Sequence, residues 1–161
     1  MTKPFYIIGF MGTGKSSLKR YLEKSNYVVD LDELFEMDVQ MDIPAYFDRY
    51  GEEAFRLQES EILRQASAAY IVTGGGIVER DENLDWMREN GVVIALDLPY
   101  EMCWDRIKDS DRPLVRHGKA AVEALYERRR PLYARADHVL DASLSTEAIA
   151  HTLYRLKEED T

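Results

Sequence analysis

Gly9-Phe10-Met11-Gly12-Thr13-Gly14-Lys15-Ser16 decides how the rest of the chain is read. The stretch fits the phosphate-binding pattern G-x-x-x-x-G-K-[ST] in full. Before it runs Phe5-Tyr6-Ile7-Ile8, apolar and β-prone. After it, Ser17-Leu18-Lys19-Arg20-Tyr21-Leu22 carries Leu18, Tyr21 and Leu22 at helical spacing. Strand, loop and helix are the context the pattern requires. Its glycines let backbone N–H groups turn inward, and the helix N-terminus adds partial positive charge, so the three together form an anion cradle. Gly12, Thr13, Gly14, Lys15, Ser16 and Ser17 are therefore candidate ligands of a nucleotide's phosphates. Lys15 reaches toward the β- and γ-phosphates, and the Ser16 hydroxyl is placed to ligate Mg²⁺.

Working outward, Tyr27-Val28-Val29 reads as a second strand closing at Asp30, with Asp32 and Glu33 opening a helix to about Met37. Asp42 caps a further helix that Gly51 ends, and Glu52 to about Ala68 forms a longer one with Phe55, Ile62, Leu63 and Ala66 inward. Met37 and Met41 read as core filler. Tyr70–Thr73 is a third strand, running into Gly74-Gly75-Gly76. Val92–Leu96, continuously apolar, is a strand buried on both faces. A helix around Tyr100–Ile107 follows, and then a polar, irregular stretch from Asp109 to about Gly118. Lys119 to about Ala136 is helical in pattern but interrupted by Pro131. Val139-Leu140 is a short last strand, and Ser145 caps a final amphipathic helix with Ile149, Leu153 and Leu156. Alternating strands and helices predict an α/β fold: three layers, α/β/α, around a central five-stranded parallel sheet. Ligands of such sheets bind at the strands' carboxyl ends. The phosphate loop, Asp30/Asp32, the triple glycine and Asp97 all fall there.

Composition sets limits on partners. The chain has 161 residues, enough for one domain with a real core, and is 45% hydrophobic and 32% charged. A formal net charge of −9 argues against a broad nucleic-acid surface, which needs clustered cations. Arg128-Arg129-Arg130 is the one dense basic run, enough for a small anion. No apolar run approaches the roughly 20 residues of a membrane span. The N-terminus moves directly into a strand, so no signal peptide is expected. The single Cys103 cannot form an internal disulfide and reads as packing. The expectation is a cytoplasmic protein that binds neither nucleic acid nor membrane.

Phosphoryl transfer needs positioned phosphates, a metal, an oriented acceptor and cations for developing charge. Asp30 and Asp32 sit together at a strand end. Asp is also a common helix cap there, so the pair alone leaves both readings open. Three consecutive glycines permit close approach of backbone to ligand. Arg56, Arg112 and Arg129 are candidate anion contacts, each of which taken singly also fits a solvated surface arginine.

Taken together, the chain resembles the shikimate kinases, within the nucleoside-monophosphate-kinase-like group of P-loop proteins. The resemblance rests on Gly9–Ser17, Asp30-Leu31-Asp32 and the block Gly51-Glu52-x-x-Phe55-Arg56-x-x-Glu59. It continues in Thr73-Gly74-Gly75-Gly76, Arg112-Pro113-Leu114, and Arg129-x-Pro131-Leu132-Tyr133 followed by Ala136-Asp137. It implies a single P-loop kinase domain over 1–161, with a substrate-binding segment at about 31–60 and a lid at about 109–128. It also implies transfer of the ATP γ-phosphate to the 3-hydroxyl of shikimate, with Mg²⁺, by a monomer. By the same resemblance Asp32 orients or deprotonates the acceptor hydroxyl, Asp30 is the metal-linked acid, and Arg56 and Arg129 hold the shikimate carboxylate. Gly75, flanked by Gly74 and Gly76, contacts substrate. Phe47 and Phe55 wall its ring, Arg112 is the lid arginine at the phosphates, and Arg106 lies against adenine.

Some positions depart from the family pattern. Leu31 replaces a usual Ser or Thr, the Arg106–Arg112 stretch and the lid are short, and the loop after Asp141 matches poorly. A related kinase with another acceptor, or a silent homologue that binds shikimate or nucleotide, would share the phosphate loop. The carboxylate-clamping blocks argue against the first, and the retention of Lys15, Asp32 and Arg112 against the second.

Overall fold

The computed structural model describes residues 3–160. Five strands form one parallel sheet: β1 (Phe5–Gly9), β2 (Val28–Asp30), β3 (Tyr70–Val72), β4 (Val92–Asp97) and β5 (His138–Asp141), in the order β2-β3-β1-β4-β5. Seven helices connect and cover them: α1 (Lys15–Leu22), α2 (Leu31–Val39), α3 (Ile43–Gln65), α4 (Asp81–Asn90), α5 (Tyr100–Ile107), α6 (Lys119–Tyr133) and α7 (Thr146–Glu159). Every residue of β1 and β3 is buried, whichever face it points to, so helices cover the sheet on both sides. The outer strand β5 is mostly exposed.

The register sets out the site. Phe5 pairs with Tyr70 and with Val92, so β1 lies between β3 and β4, and β2 lies outside β3. The carboxyl ends of β1, β3 and β2 are thus neighbours, and they carry the phosphate loop, the triple glycine and the acid pair. Side chains tie both ends of the sheet, one at these carboxyl ends and one at the amino ends of β4 and β5. Thr73 Oγ1 donates to the Ile7 carbonyl at 2.8 Å, stitching the start of the glycine turn to β1. Asp137 Oδ2 accepts from the Val93 N–H at 2.8 Å, fixing the approach to β5 against β4.

Three readings of the sequence are corrected. Met37, expected in the core, is 73% exposed on α2, because Leu31 and Phe35 define that helix's buried face and Met37 is off it. Pro131 does not interrupt α6. It lies so near the C-terminus that its missing N–H costs the helix one bond, and the helix ends two residues later, at Tyr133. The stretch expected to be irregular contains a 3₁₀ turn at Pro113–His117. The two segments expected to meet at Gly51 do so without a loop. α3 runs through a kink at Gly51, whose φ of 87° and ψ of 172° are non-helical.

Nothing lies within 4 Å of where a Gly51 side chain would begin, so only the backbone demands glycine there. Gly51→Ala is therefore expected to destabilise the fold by about 1–3 kcal/mol, the cost of a non-glycine residue in this region. Urea unfolding checks it, as a lowered midpoint with an unchanged slope.

Candidate active site

The phosphate loop is built around an uncapped helix. α2, α3 and α7 begin with an Asp or Ser side chain accepting first-turn N–H groups: Asp30, Asp42 and Ser145. α1 has no such cap, and no acid in its first turn. Its N-terminal N–H groups and dipole are left for an external anion. The loop itself is braced from within by Thr13, whose Oγ1 donates to the Phe10 carbonyl at 2.8 Å. Lys15 Nζ donates to the Gly9 carbonyl, and burial lowers its ammonium to about 8 against the attraction of Asp32.

A cleft of about 400 Å³ opens over this loop. Gly12 through Ser17 line it, together with Asp30, Asp32, Gly74, Gly75, Arg106 and Arg112, so most residues singled out from the sequence meet there. Arg106, an exposed residue, donates from Nη1 to the Gly12 carbonyl at 3.0 Å. Ala142, Leu144, Thr146 and Ile149 close another part of the cleft. Sequence reading named none of them as site residues: Ala142 and Leu144 in the loop and Thr146 and Ile149 on α7 carry no chemical signature of a site.

Asp30 caps a helix and lines the cleft at once. Its Oδ1 accepts from the N–H groups of Asp32 at 2.8 Å and Glu33 at 3.3 Å, capping α2, while the residue also faces the cleft. Burial raises its carboxyl above the ordinary value. Burial, followed by repulsion from Asp30, pushes Asp32 up to about 6, with Lys15 pulling the other way.

The triple glycine is a place of close approach. A Cβ on Gly74 would sit 2.9 Å from Asp32 Oδ1. One on Gly75 would sit 3.4 Å from Arg129 Nη1, and one on Gly76 would overlap the Arg56 guanidinium, 2.7 Å from its Cζ. The turn thus lets one acid and two arginines converge on backbone. Arg56, Arg129, Gly76, Phe47 and Phe55 do not line the cleft but stand at or behind this convergence. Phe47 and Phe55 pack at 4.6 Å, with Arg56 over the buried Phe55 ring at 5.1 Å.

Of the basic run only Arg129 is buried. Arg128 and Arg130 are more than half exposed and face Glu79 and Asp97, while Arg129 Nε lies 3.7 Å from the other Glu79 oxygen. The Nε atoms of Arg56 and Arg129 are buried without a hydrogen-bond partner among the described residues. Glu59 was not named as a site residue, although it stands in the Glu52–Glu59 block. It is buried and pairs with Arg56 Nη1 at 3.0 Å, and burial pushes its carboxyl up to about 7. Glu79, which pairs with Arg128 at 2.6 Å across the fold, gave no signal in the sequence.

A phosphate loop on the central strand of a parallel sheet, an acid pair beside it and two arginines, one buried and one partly so, facing a glycine turn define a P-loop phosphotransferase. The sequence profile described as shikimate kinase matches residues 11–157. The shikimate kinase of Thermodesulfovibrio yellowstonii is 34% identical over 162 residues, covering 95% of this chain and 94% of its own. The crystal structure of shikimate kinase from Aquifex aeolicus superposes with a TM-score of 0.84 at 32% identity, covering 97% of this chain and 96% of that one. Shikimate kinase from Acinetobacter baumannii, solved in complex with shikimate, gives 0.88 at 26% identity, covering 100% and 96%. The chain belongs to the shikimate kinase family.

The acid pair makes a prediction about the ligand-free protein. Because the folded-state value of Asp32 is raised to about 6, its charged form is held at a cost whenever the pH lies above that value. The cost fades as pH falls through 6 and is gone near the unfolded value of about 4. Asp32→Asn is therefore expected to raise the melting temperature at pH 8 in metal-free buffer, with the gain shrinking toward pH 4. Thermal denaturation of both proteins across that range checks it.

Proposed function

We propose that this protein transfers the γ-phosphate of ATP to the 3-hydroxyl of shikimate, giving shikimate 3-phosphate and ADP. The observation that carries the reading is the convergence of Asp32, Arg56 and Arg129 on Gly74–Gly76, beside an uncapped phosphate loop. Two arginines whose buried Nε atoms have no hydrogen-bond partner among the described residues, only Glu52 at 3.9 Å and Glu79 at 3.7 Å, suit a planar carboxylate, which accepts forked donors. A neighbouring acid suits a hydroxyl.

In this mechanism the N–H groups of Gly12–Ser17 and the Lys15 ammonium hold the β- and γ-phosphates. The anion raises the lowered Lys15 value and keeps it charged. Arg56 and Arg129 clamp the acceptor carboxylate against the glycine turn, with Phe47 and Phe55 supporting that wall. The acceptor oxygen attacks the γ-phosphorus while Asp32 accepts its proton. The bond from γ-phosphorus to the bridging oxygen breaks, and ADP leaves with that electron pair. Arg112 on the lid, at about 109–128, and Lys15 stabilise charge on the transferring group, each well-placed donor by about 3–4 kcal/mol. Arg106, held over the loop, faces the nucleotide. The segment at about 31–60 brings Asp32, Phe47, Phe55 and Arg56 to the acceptor within one kinase domain.

The Ser16 hydroxyl and Asp30 carboxylate are oxygen donors, the type Mg²⁺ takes. No cluster of three or more metal-binding side chains occurs among the described residues. That fits an ion held by one or two protein groups plus substrate phosphates. Ser16 directly and Asp30 through water would hold Mg²⁺, which would supply charge neutralisation at the phosphates. No helix among the described residues is long and apolar enough to cross a membrane. The reading is completed by action as a cytoplasmic monomer on a small-molecule substrate, without nucleic acid.

Purified protein with ATP, Mg²⁺ and shikimate is expected to release ADP in a shikimate-dependent manner. Absence of that dependence would refute the function. Arg56→Ala and Arg129→Ala are each expected to raise the KM for shikimate by a factor worth about 2–5 kcal/mol, the cost of leaving a buried carboxylate short of one partner. The KM for ATP should move little, which steady-state kinetics with each substrate varied in turn will show.

A further inference from the structure

The three glycine carbonyls of the acceptor turn are anchored in different ways. The Gly74 carbonyl accepts from the Ile77 N–H at 3.2 Å, and the Gly76 carbonyl from the Glu79 N–H at 3.0 Å. Both bonds are local to the turn and its 3₁₀ continuation. The Gly75 carbonyl instead accepts from the Tyr133 hydroxyl at 2.6 Å, reaching across 58 positions of sequence. Three consecutive residues without side chains have many backbone conformations open to them. A bond to a packed helix therefore selects among those conformations in a way the turn's own bonds do not.

Tyr133 and Arg129 are one helical turn apart on α6, at i and i+4, and so share a face. Both press on the same glycine. The position a Cβ would take on Gly75 lies 3.4 Å from Arg129 Nη1 and 3.6 Å from Tyr133 Oη. Tyr133 is only 7% exposed, and burial drives its phenol far above the ordinary value, against the opposing pull of the Arg129 charge. The hydroxyl therefore remains a proton donor throughout the working range. Removing its oxygen leaves the Gly75 carbonyl without its donor and opens a gap beside Nη1 of the buried arginine.

We propose that Tyr133 is a positioning residue for the acceptor, its hydroxyl holding the Gly75 peptide and the adjoining Arg129 guanidinium in the arrangement that receives the substrate carboxylate. The proposal rests on the function proposed above. Tyr133 touches neither phosphate nor reacting hydroxyl, so its effect falls on acceptor binding rather than on the nucleotide.

The test compares Tyr133→Phe with Tyr126→Phe. Tyr126 is also on α6 and also donates to a buried carbonyl, that of Leu98 at 2.7 Å, but it has no part in the glycine turn. In Tyr133→Phe the KM for shikimate is expected to rise by about 10- to 100-fold, the effect of a small misplacement at a binding group, with the KM for ATP nearly unchanged. The melting temperature is expected to fall by similar amounts in both variants, while in Tyr126→Phe the KM for shikimate stays at the wild-type value. An unchanged shikimate KM in Tyr133→Phe overturns the proposal. So does an equal rise in both variants, which would mark general loosening of the helix. Wild-type turnover measured alongside separates this result from failure of the function itself. A crystal structure of the wild-type protein with shikimate adds a second check that needs no variant. Tyr133 Oη should remain on the Gly75 carbonyl beside an engaged Arg129, and a turned Gly75 peptide or an Arg129 swung away from Tyr133 overturns the assignment.

Discussion

Like charges must be held close together before any substrate arrives, and much of the structure around the cleft answers to that constraint. Lys15 lies within the influence of Arg112 and Arg129, which lower its proton affinity further after burial has done so. Asp32 feels Asp30 and Glu36 in the opposite sense. A flexible chain would relieve this by moving the groups apart into water. Here they are attached to the ends of adjacent strands and to helices packed on the sheet, so the repulsion is retained as a demand for ligands of the right charge. In the proposed function, anionic phosphates would answer the demand at the loop, and a carboxylate would answer it at the two arginines.

The sheet order makes the crowding possible. Because β1 is flanked by β3, and β3 by β2, the phosphate loop, the glycine turn and the acid pair end up as neighbours although they are spread from Gly9 to Gly76. α6 then returns from the far side of the chain with Arg129 and Tyr133. The glycine turn accepts this convergence only because it carries no side chains: a methyl at Gly74 or Gly76 would collide with Asp32 or Arg56. Glu59 stands behind Arg56 as a buried counter-charge, balancing the arginine partly without filling all its donors.

Legibility in the sequence followed the range of each interaction. The phosphate loop was readable because its chemistry lies within one contiguous segment, and the alternation of strands and helices was readable because periodicity is local. Pro131 misled because a proline's effect depends on how near the helix end it falls, which pattern alone does not reveal. Met37 misled because hydrophobicity was read without the helix phase that Leu31 and Phe35 set. Glu79 and the aliphatic residues of the β5–α7 loop were silent, since their roles arise only from what they face.

The sequence by itself determined the class of fold, the phosphate-binding loop and the stock of acids and arginines available for transfer chemistry. Each of these is written in short-range pattern or in residue type. The tertiary structure alone decided which arginine of Arg128-Arg129-Arg130 is withdrawn from solvent, that Asp30 caps a helix while facing the cleft, and which side chain each glycine makes room for. It also set Tyr133 on the Gly75 carbonyl. These are matters of burial and of contact between residues distant in sequence. Desolvation and close approach act through space, and they become fixed only when the sheet has brought its strand ends together.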